Sequence, residues 1–145
     1  MIVTFLGHRD FIYSEKIEER LVYAIEQCIK EGADEFFLGG YGSFDYFVAG
    51  VLRSLKSKNG HISIIFVTPY INKDYDSTLY DSSLYPPIEN VPFKFAISER
   101  NKWMVQNADV VVSGVQRNFG GASKALVYAR KLGKRIISLY DNVFE

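Results

Sequence analysis

Four short stretches of this sequence carry residues that can hold an anion or act on one. Gly7-His8-Arg9-Asp10 joins a glycine, which permits a tight turn, to a guanidinium able to make a forked contact with phosphate or carboxylate. Taken alone, His8 and Arg9 fit a surface turn equally well. Gly39-Gly40-Tyr41-Gly42-Ser43-Phe44-Asp45 offers unhindered backbone N–H groups ahead of a helix, where an anion can be cradled. Within it, Asp45 and Ser43 each have a plain role as a helix cap. Asp45 can also take a sugar hydroxyl or serve as a general base. Arg100 and Asn101 fall on a helical stripe with Ile97 and Met104, so a charge and an amide face inward and need partners. A bound phosphate, the glycine loop or a buried carboxylate would each serve. Gly120-Gly121-Ala122-Ser123 opens a further helix and supplies a second N-terminal anion site.

These stretches need a frame that brings them together. Runs rich in β-branched and aromatic residues at Ile2 to Leu6, Glu35 to Leu38, Ile62 to Val67, Asp109 to Val112 and Arg135 to Leu139 alternate with helix-period segments. Ile17, Leu21, Ala24, Ile25 and Cys28 form one amphipathic stripe, with Ser14 as cap and Gly32 as stop. Phe47, Val48, Val51, Leu52 and Leu55 form another; Ala122, Ala125, Leu126, Ala129 and Leu132 a third, ending at Gly133; Phe95 to Asn107 reads as a fourth helix. The pattern predicts an α/β fold, a three-layer sandwich with a parallel five-stranded sheet and helices on both faces. In such sheets ligands bind beyond the carboxyl ends of the strands, where all four stretches fall.

Between Thr68 and Phe95 the period fails, and Pro69, Pro86, Pro87 and Pro92 stand among Tyr70, Tyr75, Tyr80 and Tyr85. This 68–95 excursion is expected to be a lid over the ligand, a cover for the sheet edge or a dimer contact.

The 145 residues suit one domain spanning 1–145, and 48% hydrophobic content supports a real core. Lys+Arg and Asp+Glu both number 17, so no global basic field exists to hold a nucleic-acid backbone or an anionic membrane. A single cysteine and two histidines argue against a disulfide framework or a metal centre, and no cofactor is implied. The first residues lack a secretion signal, and no apolar stretch approaches the roughly 18 residues of a membrane span. The expectation is a cytoplasmic protein off the membrane.

The GHR at Gly7, the GGYGSFD at Gly39, the SERN at Ser98 and the NFGGASKAL at Asn118 together resemble the SLOG superfamily. This is the Rossmann-like group that unites DprA/Smf domains with the LOG phosphoribohydrolases, and the likeness is greatest to its small single-domain YpsA-like members. It spans nearly the whole chain. It implies a ligand cleft built by the glycine loops and a role in binding nucleotides or nucleotide-derived molecules. LOG enzymes are similar in carrying P-G-G-x-G-T-x-x-E with a catalytic glutamate. Here Leu38 stands for the proline, Ser43 for the threonine and Tyr46 for the glutamate, while the carboxylate sits one place earlier at Asp45. One residue turns a helix by about 100°, so Asp45 does not simply inherit that role.

The reading is therefore a protein that binds a nucleotide or nucleotide-derived phosphorylated ligand. Gly7, His8, Arg9, Gly39, Gly40, Tyr41, Gly42, Ser43, Asp45, Arg100, Asn101, Gly120, Gly121 and Ser123 are the expected site. Two alternatives stand beside it. One is an N-glycosidic hydrolase of nucleoside 5′-monophosphates using Asp45 or Glu99. The other is a homodimeric interaction module built on the tyrosine-rich stretch and Trp103. A homodimer is expected and nucleic acid is not.

Overall fold

Alternation along the strands sorts the apolar side chains into two layers. The odd-numbered Val3 and Phe5, with Phe36, Leu38, Ile64, Phe66, Val110 and Val112, face one side of the sheet; Leu6, Phe37, Ile65, Val67 and Val111 face the other. The computed structural model, which describes residues 1–141, shows what covers each side. Helices α1 (Glu15–Lys30) and α2 (Gly42–Lys56) pack on the first face, with Leu21, Ile25, Val48 and Leu52 fully enclosed. Helices α3 (Ala96–Asn107) and α4 (Gly121–Lys131) pack on the second through Met104, Val105, Leu126 and Ala129. The α/β sandwich predicted from the periodicity is what forms. Ser14 caps α1, its hydroxyl accepting from the Ile17 N–H at 3.2 Å.

The sheet consists of β1 (Ile2–Gly7), β2 (Glu35–Leu38), β3 (Ser63–Val67), β4 (Ser82–Leu84), β5 (Val110–Gly114) and β6 (Arg135–Ser138), all parallel, in the order β4-β3-β2-β1-β5-β6. Six strands, then, replace the five expected. The extra one, β4, lies inside the 68–95 excursion and pairs Ile65 with Ser82 and Val67 with Leu84. A three-residue edge strand with two exposed serines buries too little to leave an apolar run, so no periodicity marks it. It is held instead by Asp81, whose carboxylate accepts from the Ile64 N–H at 2.8 Å, Lys56 Nζ at 2.9 Å and Arg53 Nη1 at 3.1 Å. The excursion therefore covers the sheet edge beyond β3. A short 3-10 turn at Phe93–Phe95 leads from it into α3.

The chain runs outward from β1 to β4, crosses back through α3 to β5 beside β1, and then continues the other way to β6. The order reverses between β1 and β5, and such a reversal leaves a crevice at the carboxyl ends of those strands. Phe44, fully buried in the first turn of α2, fills the floor of this region. Gly7 and Gly114 are paired in register, and a Cβ on either would stand 2.2 or 2.3 Å from the Phe44 ring. Glycine is needed on both strands so that the helix can approach so closely. No helix among the described residues is long and apolar enough to cross a membrane.

Candidate functional site

The two glycine-bearing turns meet at that crevice. A cleft of about 300 Å³ is bounded by Gly7, His8 and Arg9 after β1, by Gly39, Tyr41 and Asp45 around the start of α2, by Ile97, Arg100, Asn101 and Met104 of α3, and by Arg117, Gly120, Gly121 and Ala122 after β5. Ten of the fourteen expected residues line it. Gly40 and Gly42 open instead onto a neighbouring chamber that shares Tyr41. Ser43 and Ser123 lie outside the cleft wall, and Glu99 is turned away to pair with Lys102 at 3.5 Å. Glu99 is accordingly not placed to act on anything in the cleft.

The GGYGS turn, expected to be the main anion cradle, commits its Tyr41 and Ser43 N–H groups and the Ser43 hydroxyl within the protein. The Ser43 N–H donates to the Arg9 carbonyl at 2.9 Å, and the Ser43 hydroxyl donates to the carbonyls of Arg9 and Phe11 at 2.8 and 3.0 Å. The Tyr41 N–H donates to Asp45 Oδ2 at 3.2 Å. Gly42, at φ +87°, brings the turn against Arg9, where a Cβ would lie 2.4 Å from the Arg9 Cα. This end of α2 is thus a clasp that fixes the loop after β1.

Helix α4 differs. Its cap is Gly120 with no side-chain bond, its first turn holds no acid, and the N–H groups of Gly121, Ala122 and Ser123 have no acceptor among the described residues. A helix that keeps its first amides unspent presents donors and the positive end of its dipole together.

Three guanidiniums face the same space. Arg100, 2% exposed, donates from Nη1 to the carbonyls of Gly39 at 2.8 Å and Val67 at 2.7 Å, and from Nε to Asn101 Oδ1 at 2.9 Å. Its inward-facing charge is met by backbone carbonyls at the ends of β2 and β3, which locks α3 to the sheet. Burial lowers its pKa to about 10 against the pull of Asp45, so it stays charged at neutral pH. Arg9 is exposed and lies over the Tyr41 ring at 5.7 Å, with Arg100 at 5.5 Å from the same ring; no carboxylate pairs with Arg9 among the described residues. Arg117 grips Asp10 with both terminal nitrogens, at 3.1 and 2.7 Å, while its Nε is buried without a partner. The sequence reading missed Arg117, although it follows β5 as Arg9 follows β1.

Two titratable groups complete the wall. Asp45 is pushed up to about 6, because loss of water around its carboxyl outweighs the stabilising charge of Arg100 and the N–H groups of Tyr41 and Gly40. His8 is held below its usual value, first by burial and then by Arg117, and its Nε2 accepts from the Gln116 N–H at 3.0 Å. It is thus a neutral brace between the loops after β1 and β5.

No protein-family model matches the chain. A curated relative, the uncharacterised SPbeta prophage-derived protein YoqJ of Bacillus subtilis (strain 168), is 25% identical and covers 88% of this chain and 89% of its own length. Among solved structures, DNA processing protein A from Helicobacter pylori, studied for its single-stranded DNA binding mode, superposes with a TM-score of 0.68 at 18% identity, over 100% of this chain and 67% of that one. The molybdenum cofactor carrier protein from Chlamydomonas reinhardtii superposes with a TM-score of 0.61 at 13% identity, over 94% of this chain and 74% of that one.

The chain shares its fold with these proteins. Within that fold the one-residue displacement of the carboxylate has a visible consequence. Tyr46, at the position of the LOG glutamate, is 68% exposed and lines the neighbouring chamber, whereas Asp45 lines the cleft. The shared frame sets the glycine turns in place, and the side chains between them give this cleft its own electrostatics. Among the described residues no cluster of His, Cys, Asp or Glu is arranged to hold a metal.

Proposed function

We propose that the protein binds a nucleotide or nucleotide-derived phosphorylated ligand, with phosphate in the cleft between β1 and β5. The observation that carries this reading is the uncapped start of α4, where Gly121 and Ala122, whose amides have no acceptor among the described residues, line the space bounded by Arg9, Arg100 and Arg117. Arg9 and Arg117 add donors that the protein leaves unused: an unpaired guanidinium and a buried, partnerless Nε. Asp10 and Asp45 offset only part of this charge, so a dianion is favoured over a neutral solute.

Calorimetric titration with the four common nucleoside 5′-monophosphates and with ribose 5-phosphate tests it. Binding is expected, and Gly121→Asp, which sets a carboxylate at the bare helix end, should weaken it at least tenfold. Undiminished affinity in that variant would remove the phosphate from this cleft.

The raised pKa of Asp45 supports a second reading, N-glycosidic hydrolysis of the bound nucleotide. Above about pH 6 the Asp45 carboxylate is poised to take a proton from a water whose oxygen bonds to the sugar C1′, while the C1′–N bond breaks with its electron pair on the base, which takes a proton from solvent. Chromatography for free base after incubation with the same panel checks this. Turnover abolished in Asp45→Asn supports hydrolysis, and silence across the panel supports a binding protein alone.

The likeness to a protein studied for single-stranded DNA binding weighs against the expectation that nucleic acid is no partner. The balanced 17 and 17 charges still favour a small ligand over a long polyanion. A homodimer accompanies this reading, with exposed Phe93 and Phe119 available for contact. Trp103, stacked on Phe37 at 5.6 Å within its own chain, is not free for that purpose.

A further inference from the structure

The chamber beside the cleft remains without a role. It measures about 430 Å³, is built by the glycine turn after β2, the end of β3 and residues 73–80 of the excursion, and shares Tyr41 with the cleft. Gly39 lines the cleft and the next residue, Gly40, lines the chamber, so the two spaces are divided by a single turn of backbone and one ring. Apart from Lys73, Asp74, Asp76 and Leu79, the side chains of the chamber wall are aromatic. Phe66 and Tyr80 are nearly enclosed, with ring centroids 5.4 Å apart, while Tyr75 and Tyr46 are 38% and 68% exposed at its mouth. A Cβ on Gly40 would stand 2.4 Å from the Phe66 ring, so the turn lies directly against the aromatic floor.

Among the nearly enclosed rings of this wall one hydroxyl is uncommitted. Tyr80 is only 7% exposed as a residue, its hydroxyl keeps access to solvent, and that hydroxyl makes no hydrogen bond among the described residues. A phenol whose ring is enclosed while its hydroxyl stays accessible beside a cavity offers that hydroxyl to a ligand atom at little desolvation cost. The hydroxyl also senses Asp45 across the dividing turn, since the Asp45 charge opposes its ionisation. The two spaces are therefore electrostatic neighbours as well as spatial ones.

We infer that this chamber takes the planar heterocycle of a nucleoside phosphate, stacked among Tyr75, Phe66 and Tyr41, with a ring nitrogen or exocyclic group paired to the Tyr80 hydroxyl. The inference rests on the phosphate assignment above and extends it. The cleft holds the anionic end, the sugar crosses beside Gly39 and Tyr41, and the excursion supplies the wall that recognises the base. Stacking on tyrosine faces is commonly worth about 1–3 kcal/mol per base, roughly 5- to 150-fold in affinity.

The experiment compares adenosine, the four nucleoside monophosphates and ribose 5-phosphate on the wild-type chain and on Tyr75→Ala and Tyr80→Phe. At least one nucleotide is expected to bind tenfold or more tighter than ribose 5-phosphate. Tyr75→Ala should erase most of that difference and leave ribose 5-phosphate unchanged. Tyr80→Phe, which keeps the ring and the packing, should cost several-fold for the preferred nucleotide only. If ribose 5-phosphate binds as well as every nucleotide, or if both variants leave nucleotide affinity untouched, the base chamber is wrong while the phosphate cleft stands. If ribose 5-phosphate fails to bind but adenosine binds and Tyr75→Ala abolishes that binding, the chamber stands and the cleft assignment fails. If no compound binds, both fail.

Discussion

Arg100 is the side chain whose removal reads out most about the site. It bridges the carbonyls of Gly39 and Val67 from a nearly inaccessible position, and its charge is the strongest stabilising influence on the Asp45 carboxylate. Arg100→Met should leave two carbonyls unsatisfied and destabilise the fold by about 2–4 kcal/mol in urea denaturation. The same variant should move the Asp45 titration above about 6, as followed by carboxyl-carbon NMR. Asp45 also sets a pH signature. Its folded pKa lies above its unfolded value, so its contribution to stability is fully present in acid and is lost as pH rises through about 6. The stability difference between wild type and Asp45→Asn should therefore shift in favour of the asparagine as pH increases from about 4 to about 7, with flat behaviour in that window counting against the burial argument. His8 acts in the opposite sense. Its folded pKa is depressed, so its contribution is present above the ordinary imidazole range and is lost as pH falls below it. Protonation of Asp45 also removes a negative charge from the cleft. Inorganic sulfate, which does not titrate in this range, should thus bind more tightly below pH 6 than above it.

At the scale of elements, the start of α2 is keyed to the sheet by one aromatic ring and one hydroxyl. Phe44 occupies the space that Gly7 and Gly114 leave open, and Ser43 ties the helix to the carbonyls of Arg9 and Phe11. Gly114→Ala should destabilise by about 1–3 kcal/mol through overpacking against this ring. In a Phe44→Ala background, which itself costs about 3–5 kcal/mol, the same substitution should cost much less. Equal penalties in the two backgrounds would show that the ring is not what the second glycine accommodates. The free amides at the start of α4 and the spent Ser43 amide of α2 follow from the same arrangement. The loop after β1 is tied to α2, and no acceptor among the described residues reaches the first amides of α4.

For the whole molecule, the reversal of strand order between β1 and β5 assembles segments more than a hundred residues apart into one wall. With no net charge, single-stranded oligonucleotide should bind, if at all, through this local wall. A saturating nucleotide should then displace it, and its affinity should vary only weakly with salt. A steep salt dependence without displacement would indicate a separate nucleic-acid surface. Sedimentation velocity should reveal two copies of the chain; a single monomeric species would end the dimer proposal.

The amino-acid sequence by itself determined the layers and the strand-end segments. Period-2 and period-3.6 apolar patterns are local, and burial on one or both faces enforces them residue by residue. It also carried ten residues of the cleft wall, because a parallel sheet exposes the ends of its strands wherever the chain turns. Only the tertiary structure decided which of two similar glycine turns keeps its donors. That depends on whether a carbonyl from a distant loop, here that of Arg9, arrives to accept them. The same holds for β4, for Arg117 beside Asp10 and for the unpaired hydroxyl of Tyr80. Each is defined by partners far along the chain, and partnership of that kind leaves no period or spacing to read.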